Sequence, residues 1–506
     1  MEAFISNLTG TTMLELVLVS APIPMGLWLI GEAKALLVAR EKALPALGVF
    51  ILEVLAVLFP AVASVIWPSQ AVTLALFMAL TSFCCRLQRR RRLMRENGSD
   101  TDQHAGAHQG MLDPVTNLRA SIMLMTCITI LAVDFQVFPR RFAKTEMFGT
   151  GLMDLGVGAT IFASGLASGC KAKRKVRRTR LDACWRAVLA DVSFTAIRAW
   201  PLAALGVSRL VVLKGLGYQE HVSEYGVHWN FFATLFSMRL LVVPMNRRCR
   251  ASLRRLLALA AICIYQWLLV NAGLSTFIAH APRNTLFSMN REGVLGLVGF
   301  VAIYNIAEEL GSQIQRCREK THEERTYPRF FSSSMAVAAS ASAILWALTL
   351  FSEAYIQQTS RRMVNLTYVL WVCAHSMIML SLLMVVDSLR WVTFSVFVNA
   401  RVLVTNVVPA LLVHERPRGH SLNTTAISRA LLFCSLKQPI SQILAAINSN
   451  MFPVFIAANL ATGAINISMR TLDADNTTAI AILAFYGLVV AVFALALTNR
   501  GLTIKV

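Results

Sequence analysis

Apolar runs about 20 residues long recur from one end of the chain to the other, separated by short polar segments, and a run of that length is enough to cross a bilayer as a helix. About thirteen such runs are predicted, over 13–30, 46–66, 69–85, 118–134, 152–169, 184–212, 229–245, 256–277, 293–307, 330–351, 364–386, 451–470 and 478–497. A further run, WVTFSVFVNARVLVTNVVPALLV at 391–413, carries Arg401 near its middle and reads as an interfacial or kinked, partly buried helix. The first run follows an acidic start, Glu2 and Glu15, without a basic leader, so it reads as the first span and not as a cleaved signal. The pattern predicts an all-α, polytopic transmembrane helix bundle, one membrane domain over 1–506, with a flexible loop at 96–117.

Composition sharpens this. Of 506 residues, 56% are hydrophobic and 15% charged, with a mean hydropathy of +0.58, which excludes an ordinary soluble domain. The net charge of +21 raises nucleic-acid binding, but the cations lie in blocks, RLQRRRRLMR (86–95), KAKRKVRRTR (171–180), NRRCRASLRR (246–255) and a mixed segment 316–329. Two apolar runs separate each neighbouring pair of blocks, so all share one side, which the positive-inside rule makes cytosolic. They read as membrane anchors, and no nucleic-acid partner is expected. With thirteen spans the N-terminus is lumenal and the C-terminus cytosolic, and 387–450 is a cytosolic or interfacial segment. The cysteines agree: Cys84, Cys85, Cys170, Cys184, Cys249, Cys317 and Cys434 fall near the cytosolic side, Cys127, Cys263 and Cys373 within spans, and no disulfide or zinc spacing results. His104 and His108, in a Gly-rich loop, read as solvated, and no metal site is expected.

The remaining polar stretches, FPRRFAKTE (138–146), KGLGYQEHVSEYGVHWN (214–230), HAPRNTLFSMNREG (280–293) and TSRRMVNLTY (359–368), all fall on the opposite side from the basic blocks. Charges at that depth are costly unless they face a polar interior, which makes this face the candidate site. Asp134 ends a run and Lys144 follows the turn PRRFAK, where Pro139 interrupts the helix. Held together, the two suit a general base and an oxyanion stabiliser; the alternative is an ion pair that locks the hairpin. Arg140 and Arg141 offer forks for phosphate oxygens, or snorkel to the interface. The small residues of GTGLMDLGVG read as close helix packing, with Asp154 in the first turn as a cap or a cation ligand. Tyr225, Trp229, Glu220, Glu224, His221 and His228 combine aromatic faces with carboxylates, which suits an amino sugar; an interfacial aromatic belt is the other reading. Asp191, Arg198 and Arg209 repeat on one helical stripe, predicted to face the interior.

The blocks EAFISNLTGTTMLE (2–15), LAVDFQVFPRRFAKTEMFGTGLMDLGVG (131–158), GYQEHVSEYGVHWNFF (217–232), NREG (290–293), SRRMVNL (360–366) and NLATGAINISMRTL (459–472) together resemble the glycosylphosphatidylinositol inositol acyltransferases, also called GPI-anchored wall transfer proteins. Gln136, Met147 and Phe148 depart from the family's pattern inside the longest block. The resemblance implies a multi-pass enzyme of the endoplasmic reticulum membrane that moves a long acyl chain, palmitoyl, from palmitoyl-CoA to the inositol 2-hydroxyl of glucosaminylphosphatidylinositol, with no permanently bound cofactor. It implies Asp134 and Lys144 as catalytic residues in direct attack on the thioester. It further implies Arg140 and Arg141 toward the phosphodiester, Glu220 or Glu224 toward the glucosamine ammonium, and Glu146, Asp154, His221, Tyr225, His228, Trp229, Asn290, Arg291, Glu292, Arg361 and Arg362 as substrate-binding candidates.

Two other classes compete. A membrane-bound O-acyltransferase of another lipid would centre on one intramembrane histidine, and WVCAHSMIML offers His375. A lipid transporter or flippase would use Asp134, Asp191 and Arg198 as a polar pathway.

Overall fold

The computed structural model describes residues 8–40, 44–96, 113–171, 184–215, 222–323, 327–411 and 440–504. Glu220, His221, Cys434, His104 and His108, and most of the block 171–180, lie outside the described residues. Among those described, twelve helices are long and apolar enough to cross a membrane. The thirteenth expected stretch is also helical, Phe231–Arg248, but Arg239, Asn246 and Arg247 make it more polar than the rest. The expected loop at 96–117 is shorter than predicted at its end, since a helix begins at Asp113. At 391–411 the backbone continues the helix Leu366–Leu411 unbroken. The only β pairing among described residues is an isolated bridge between Gly10 and Thr150.

The chain forms two compact units, one of the N-terminal residues to Leu16 with Phe138–Ser381, the other of Val17–Val137 with Leu382–Thr503. In the second unit, the helix Pro22–Ala39 meets its neighbours closely because Gly26 faces the Ala56 carbonyl, where a Cβ would collide. Its buried charges are matched. Glu53 accepts from Lys34 Nζ at 3.1 Å and from Ser441 Oγ, Gln442 N and Ile443 N at 2.9 Å, so it fills the open donors at the start of the helix Gln442–Ser449. Glu32 and Arg89, both buried, pair at 3.3 Å. Leaving either carboxylate alone would cost several kcal/mol. Asp134 lies two residues past this unit's helix Asp113–Ala132 and accepts from Asn466 Nδ2 at 2.9 Å.

In the first unit the helices Leu152–Gly169 and Arg291–Glu323 pack backbone to backbone. Gly165 and Gly169 face the carbonyls of Tyr304 and Glu308, and Gly311 faces that of Leu166. This is a small-xxx-small contact, in which the missing side chains let two spans approach. The helix Cys184–Gly215 corrects one expectation. Its buried stripe runs through Asp191, Thr195, Ala199 and Leu202, while Arg198 and Arg209 are exposed. Arg198 stands at the stripe's edge, and its long side chain swings out to lie over the Phe194 ring, 4.5 Å from the centroid. Asp191 instead pairs with Arg247 at 2.9 Å and Arg248 at 2.6 Å.

Candidate active site

Helix direction in the first unit sorts its polar residues into two ends. At one end sit the basic segments, tied by Asp191 to Arg247 and Arg248, by Glu308 to Arg254 at 2.6 Å, and by Glu309 to Arg255 and Arg316. At the other end, the four polar loops are bonded to one another. Gly149 N donates to Thr359 O at 2.8 Å, and Val227 N to Met289 O at 2.9 Å.

The loop after Pro139 makes one short turn, Arg140–Phe142, pinned by the fully buried Phe142 ring. The chain then runs past Lys144 to the helix Leu152–Gly169. Asp154 holds this entry: its Oδ2 accepts from Gly151 N at 2.9 Å, Thr145 N at 3.2 Å and Thr145 Oγ1 at 3.0 Å, capping the helix start. The N-terminal segment lies against the same loop. Thr11 N donates to Thr150 O at 2.7 Å, and Glu15 holds Arg141 at 2.9 Å. Gly149, at φ +124°, backs onto the Thr9 carbonyl and leaves no room for a Cβ, so only glycine fits.

Two charge clusters form here. In the first, Glu224 accepts from Lys144 Nζ and from Arg361 Nη2, both at 2.6 Å. Arg361 Nε also stands 3.9 Å from Asp154 Oδ1, and the guanidinium lies 5.0 Å from the Tyr225 ring centroid. Burial opposes the charge on Glu224, but Lys144 and Arg361 outweigh it and hold its carboxyl down to about 2. Burial and the adjoining Glu224 carboxylate push the Tyr225 phenol up, so it stays neutral. Glu224 drives the Arg361 guanidinium above its ordinary value against burial.

In the second cluster, Glu292, 2% exposed, accepts from Arg283 and from Arg362 at 3.1 Å. The excess positive charge is met by backbone. Arg291 donates to the carbonyls of Ile278 at 2.9 Å and Ala281 at 2.6 Å, and Arg362 to those of Ile278 and Ala279. These carbonyls close the short helix Leu274–His280, whose C-terminal end favours cations.

Of the residues singled out in the sequence, Lys144, Asp154, Glu224, Tyr225, Asn290, Arg291, Glu292, Arg361 and Arg362 therefore belong to one bonded assembly. Asn290 joins through His228, whose backbone N–H donates to Asn290 Oδ1 at 2.8 Å, and Trp229 through Gly293, which the indole covers. Arg140 lies over the Phe138 ring, and Glu146 is exposed on the same loop. Lys144 has Glu224 as its carboxylate partner in this unit, while Asp134 belongs to the other unit. His375 is buried within the helix Leu366–Leu411.

Several supporting residues escaped sequence reasoning. Arg283, Tyr265, Gln266, Asn365 and Tyr368 each bond into the assembly; Tyr368 Oη, for instance, donates to Asp154 O at 2.7 Å. Tyr265 and Gln266 sit in an apolar run whose hydropathy hides them, and Asn365 and Tyr368 read only as parts of a longer motif. In the second unit, Asn466 was legible as part of a quoted block but carried no role.

Arginines 361 and 362 enter the two clusters from one turn, 357–365, and that turn contains the only non-glycine residue with positive φ among those described, Val364 at φ +48°. A β-branched residue in this region costs on the order of 1–3 kcal/mol. The surroundings hold it there: Met363 O accepts from Tyr265 Oη at 2.7 Å, and Asn365 bonds Ser360 N, Tyr368 N, Gln357 and Gln358.

Fold and site together define a multi-pass helical membrane protein with an ordered, ion-paired polar end. The chain belongs to the GWT1 family, whose model matches residues 1–497. It is 32% identical over 537 residues to GPI-anchored wall transfer protein 1 of Aspergillus fumigatus, covering 99% of this chain and 98% of that one. It is 29% identical to the phosphatidylinositol-glycan biosynthesis class W protein of Dictyostelium discoideum, covering 100% and 98%. To the glucosaminyl-phosphatidylinositol-acyltransferase PIGW of Bos taurus it is 31% identical, over 71% of this chain and 68% of that one.

Proposed function

We propose that this protein is an acyl-CoA-dependent O-acyltransferase of the endoplasmic reticulum membrane that transfers palmitoyl to the inositol 2-hydroxyl of glucosaminylphosphatidylinositol. The observation that carries the reading is membership of the GWT1 family over residues 1–497, joined to a relative named as a glucosaminyl-phosphatidylinositol-acyltransferase. In the proposed step, Asp134 accepts the proton of the inositol hydroxyl while its oxygen attacks the thioester carbonyl carbon. The carbon–sulfur bond breaks, and the coenzyme A thiolate leaves and takes up the proton from Asp134. No acyl-enzyme forms. A carboxylate that accepts from the Asn466 amide is oriented for such a role.

Lys144, engaged by Glu224, carries a charge of the kind that suits an oxyanion. Glu146, exposed on the loop that carries Lys144, is assigned to the glucosamine amine. Arg140 and Arg141, on the short turn after Pro139, are assigned to the phosphodiester.

The test incubates purified protein with palmitoyl-CoA and glucosaminylphosphatidylinositol and looks for a mass gain of one palmitoyl group. Asp134→Asn, expressed at the normal level, is expected to lower turnover by about 10²–10⁴-fold; full activity in that variant would refute the base assignment. Loss in His375→Ala alone would favour the histidine-centred reading, and lipid uptake without acylation would favour a transporter.

A further inference from the structure

The geometry points to Val364 as a positioning residue that fixes Arg361 and Arg362 for the glycolipid headgroup, through a notch cut by Gly296 and Gly299 in the facing helix. This rests on the function proposed above and extends it to how the acceptor site is assembled.

Val364 is 3% exposed and sits in the left-handed region at φ +48°. A turn that needed only that backbone would carry glycine or asparagine, which adopt it without strain. What valine adds is two methyl groups. A Cβ built on Gly296 would lie 2.8 Å from Val364 Cγ2, and one on Gly299 would lie 2.6 Å from Val364 Cγ1 and closer still to its carbonyl oxygen. The two glycines, three apart on the helix Arg291–Glu323, share a face, and the branched side chain fills the space they leave. The helix that carries this notch begins with Arg291 and Glu292, and Glu292 is the partner of Arg362 at 3.1 Å. Seating Val364 therefore sets the distance from the turn to Glu292. It also sends the adjacent Arg361 the other way, to Glu224 at 2.6 Å. The hydrogen bonds of Asn365 and Tyr265 keep the turn closed, but they do not pin its register along the helix. The notch does.

Steady-state kinetics and glycolipid-induced thermal shifts on purified full-length protein test this, using Gly296→Ala, Val364→Gly and the double variant Gly296→Ala/Val364→Ala. Gly296→Ala drives a methyl group into Val364, and Val364→Gly empties the notch. Each is expected to raise KM for glucosaminylphosphatidylinositol about tenfold while KM for palmitoyl-CoA stays within about twofold. The double variant removes both Val364 methyl groups and returns one on the helix, which refills the Gly296 side of the notch, and is expected to return the glycolipid KM to within about threefold of wild type. At one fixed glycolipid concentration the rise in melting temperature should be smaller in the single variants than in wild type and the double variant. Unchanged glycolipid KM in both single variants, equal rises for both substrates, or a double variant no better than Gly296→Ala would each overturn the assignment. If the wild-type protein transfers no acyl group, the functional reading fails, and the thermal shifts alone then decide the positioning role. A wild-type protein that neither transfers palmitoyl nor is shifted by the glycolipid overturns both.

Discussion

Glu224 shows how a single carboxylate can hold the polar end together. Its side chain is 15% exposed and joins Lys144 to Arg361, and its carboxyl is held at about 2 from an ordinary 4.5. That displacement corresponds to about 3 kcal/mol of preference for the ionised form. A carboxylate whose folded value is depressed stabilises the fold fully above its unfolded value, and loses that contribution as pH falls toward the folded one. The window therefore runs from about pH 4.5 down to about pH 2. Glu224→Gln should lower thermal stability in detergent by on the order of 3 kcal/mol between pH 7 and 5, with the gap to wild type closing below about 4.5. A gap that widens on acidification would show that Glu224 is not ionised in the folded protein. Sequence reasoning found Glu224 and Lys144 but assigned them to different partners. Both lie in loops, and no period links positions 80 residues apart in the chain; only the folded loops bring them within reach.

Elements were more legible than contacts, because hydropathy marks a span wherever an apolar run is long enough, and twelve helices of that kind are present among the described residues. Which face of a span is buried is harder to read. The charged positions 191, 198 and 209 share a helical period, yet only Asp191 is buried, since a long arginine at the edge of a stripe can reach out of the bundle. The small residues around 149–158 were read as packing positions, and Gly158 does meet Tyr368 and Val372. The backbone contact with the helix Arg291–Glu323 lies further along, at Gly165 and Gly169, where a glycine every four residues is submerged in a run of other small residues. These positions predict opposite outcomes for one substitution. Gly169→Ala places a methyl group against the Glu308 carbonyl and should destabilise the first unit by about 1–3 kcal/mol. Gly463→Ala, with nothing within 4 Å of the new Cβ, lies in the helix Met451–Ser468 and should be neutral or stabilising by up to about 1 kcal/mol. Thermal unfolding of the two variants in one detergent decides it; equal effects would remove the packing explanation.

At the scale of the whole chain, the alternation of basic blocks with aromatic and acidic loops was visible in the sequence, and the structure gives it a physical form in the first unit. The polar loops bond to one another at one end, Gly149 to Thr359 and Val227 to Met289, and the arginine-rich segments pair with Asp191, Glu308 and Glu309 at the other. The N-terminal segment joins the polar end through Thr11 and Glu15, which explains why the block at 2–15 accompanies the longer block at 131–158 although a whole set of spans separates them. Cations concentrate on the cytosolic side of membrane proteins, so this polarity predicts an orientation: basic end cytosolic, polar end and N-terminal segment lumenal. Cysteines report on it directly. Cys249 and Cys317 lie at the basic end and are partly accessible, and Asn284 is exposed at the polar end. In sealed microsomes, with one cysteine retained at a time, a membrane-impermeant maleimide should modify Cys249 and Cys317, but should modify an Asn284→Cys variant only after the membrane is permeabilised. The reverse pattern would place the polar end and the N-terminal segment on the cytosolic side and refute the orientation read from the charge.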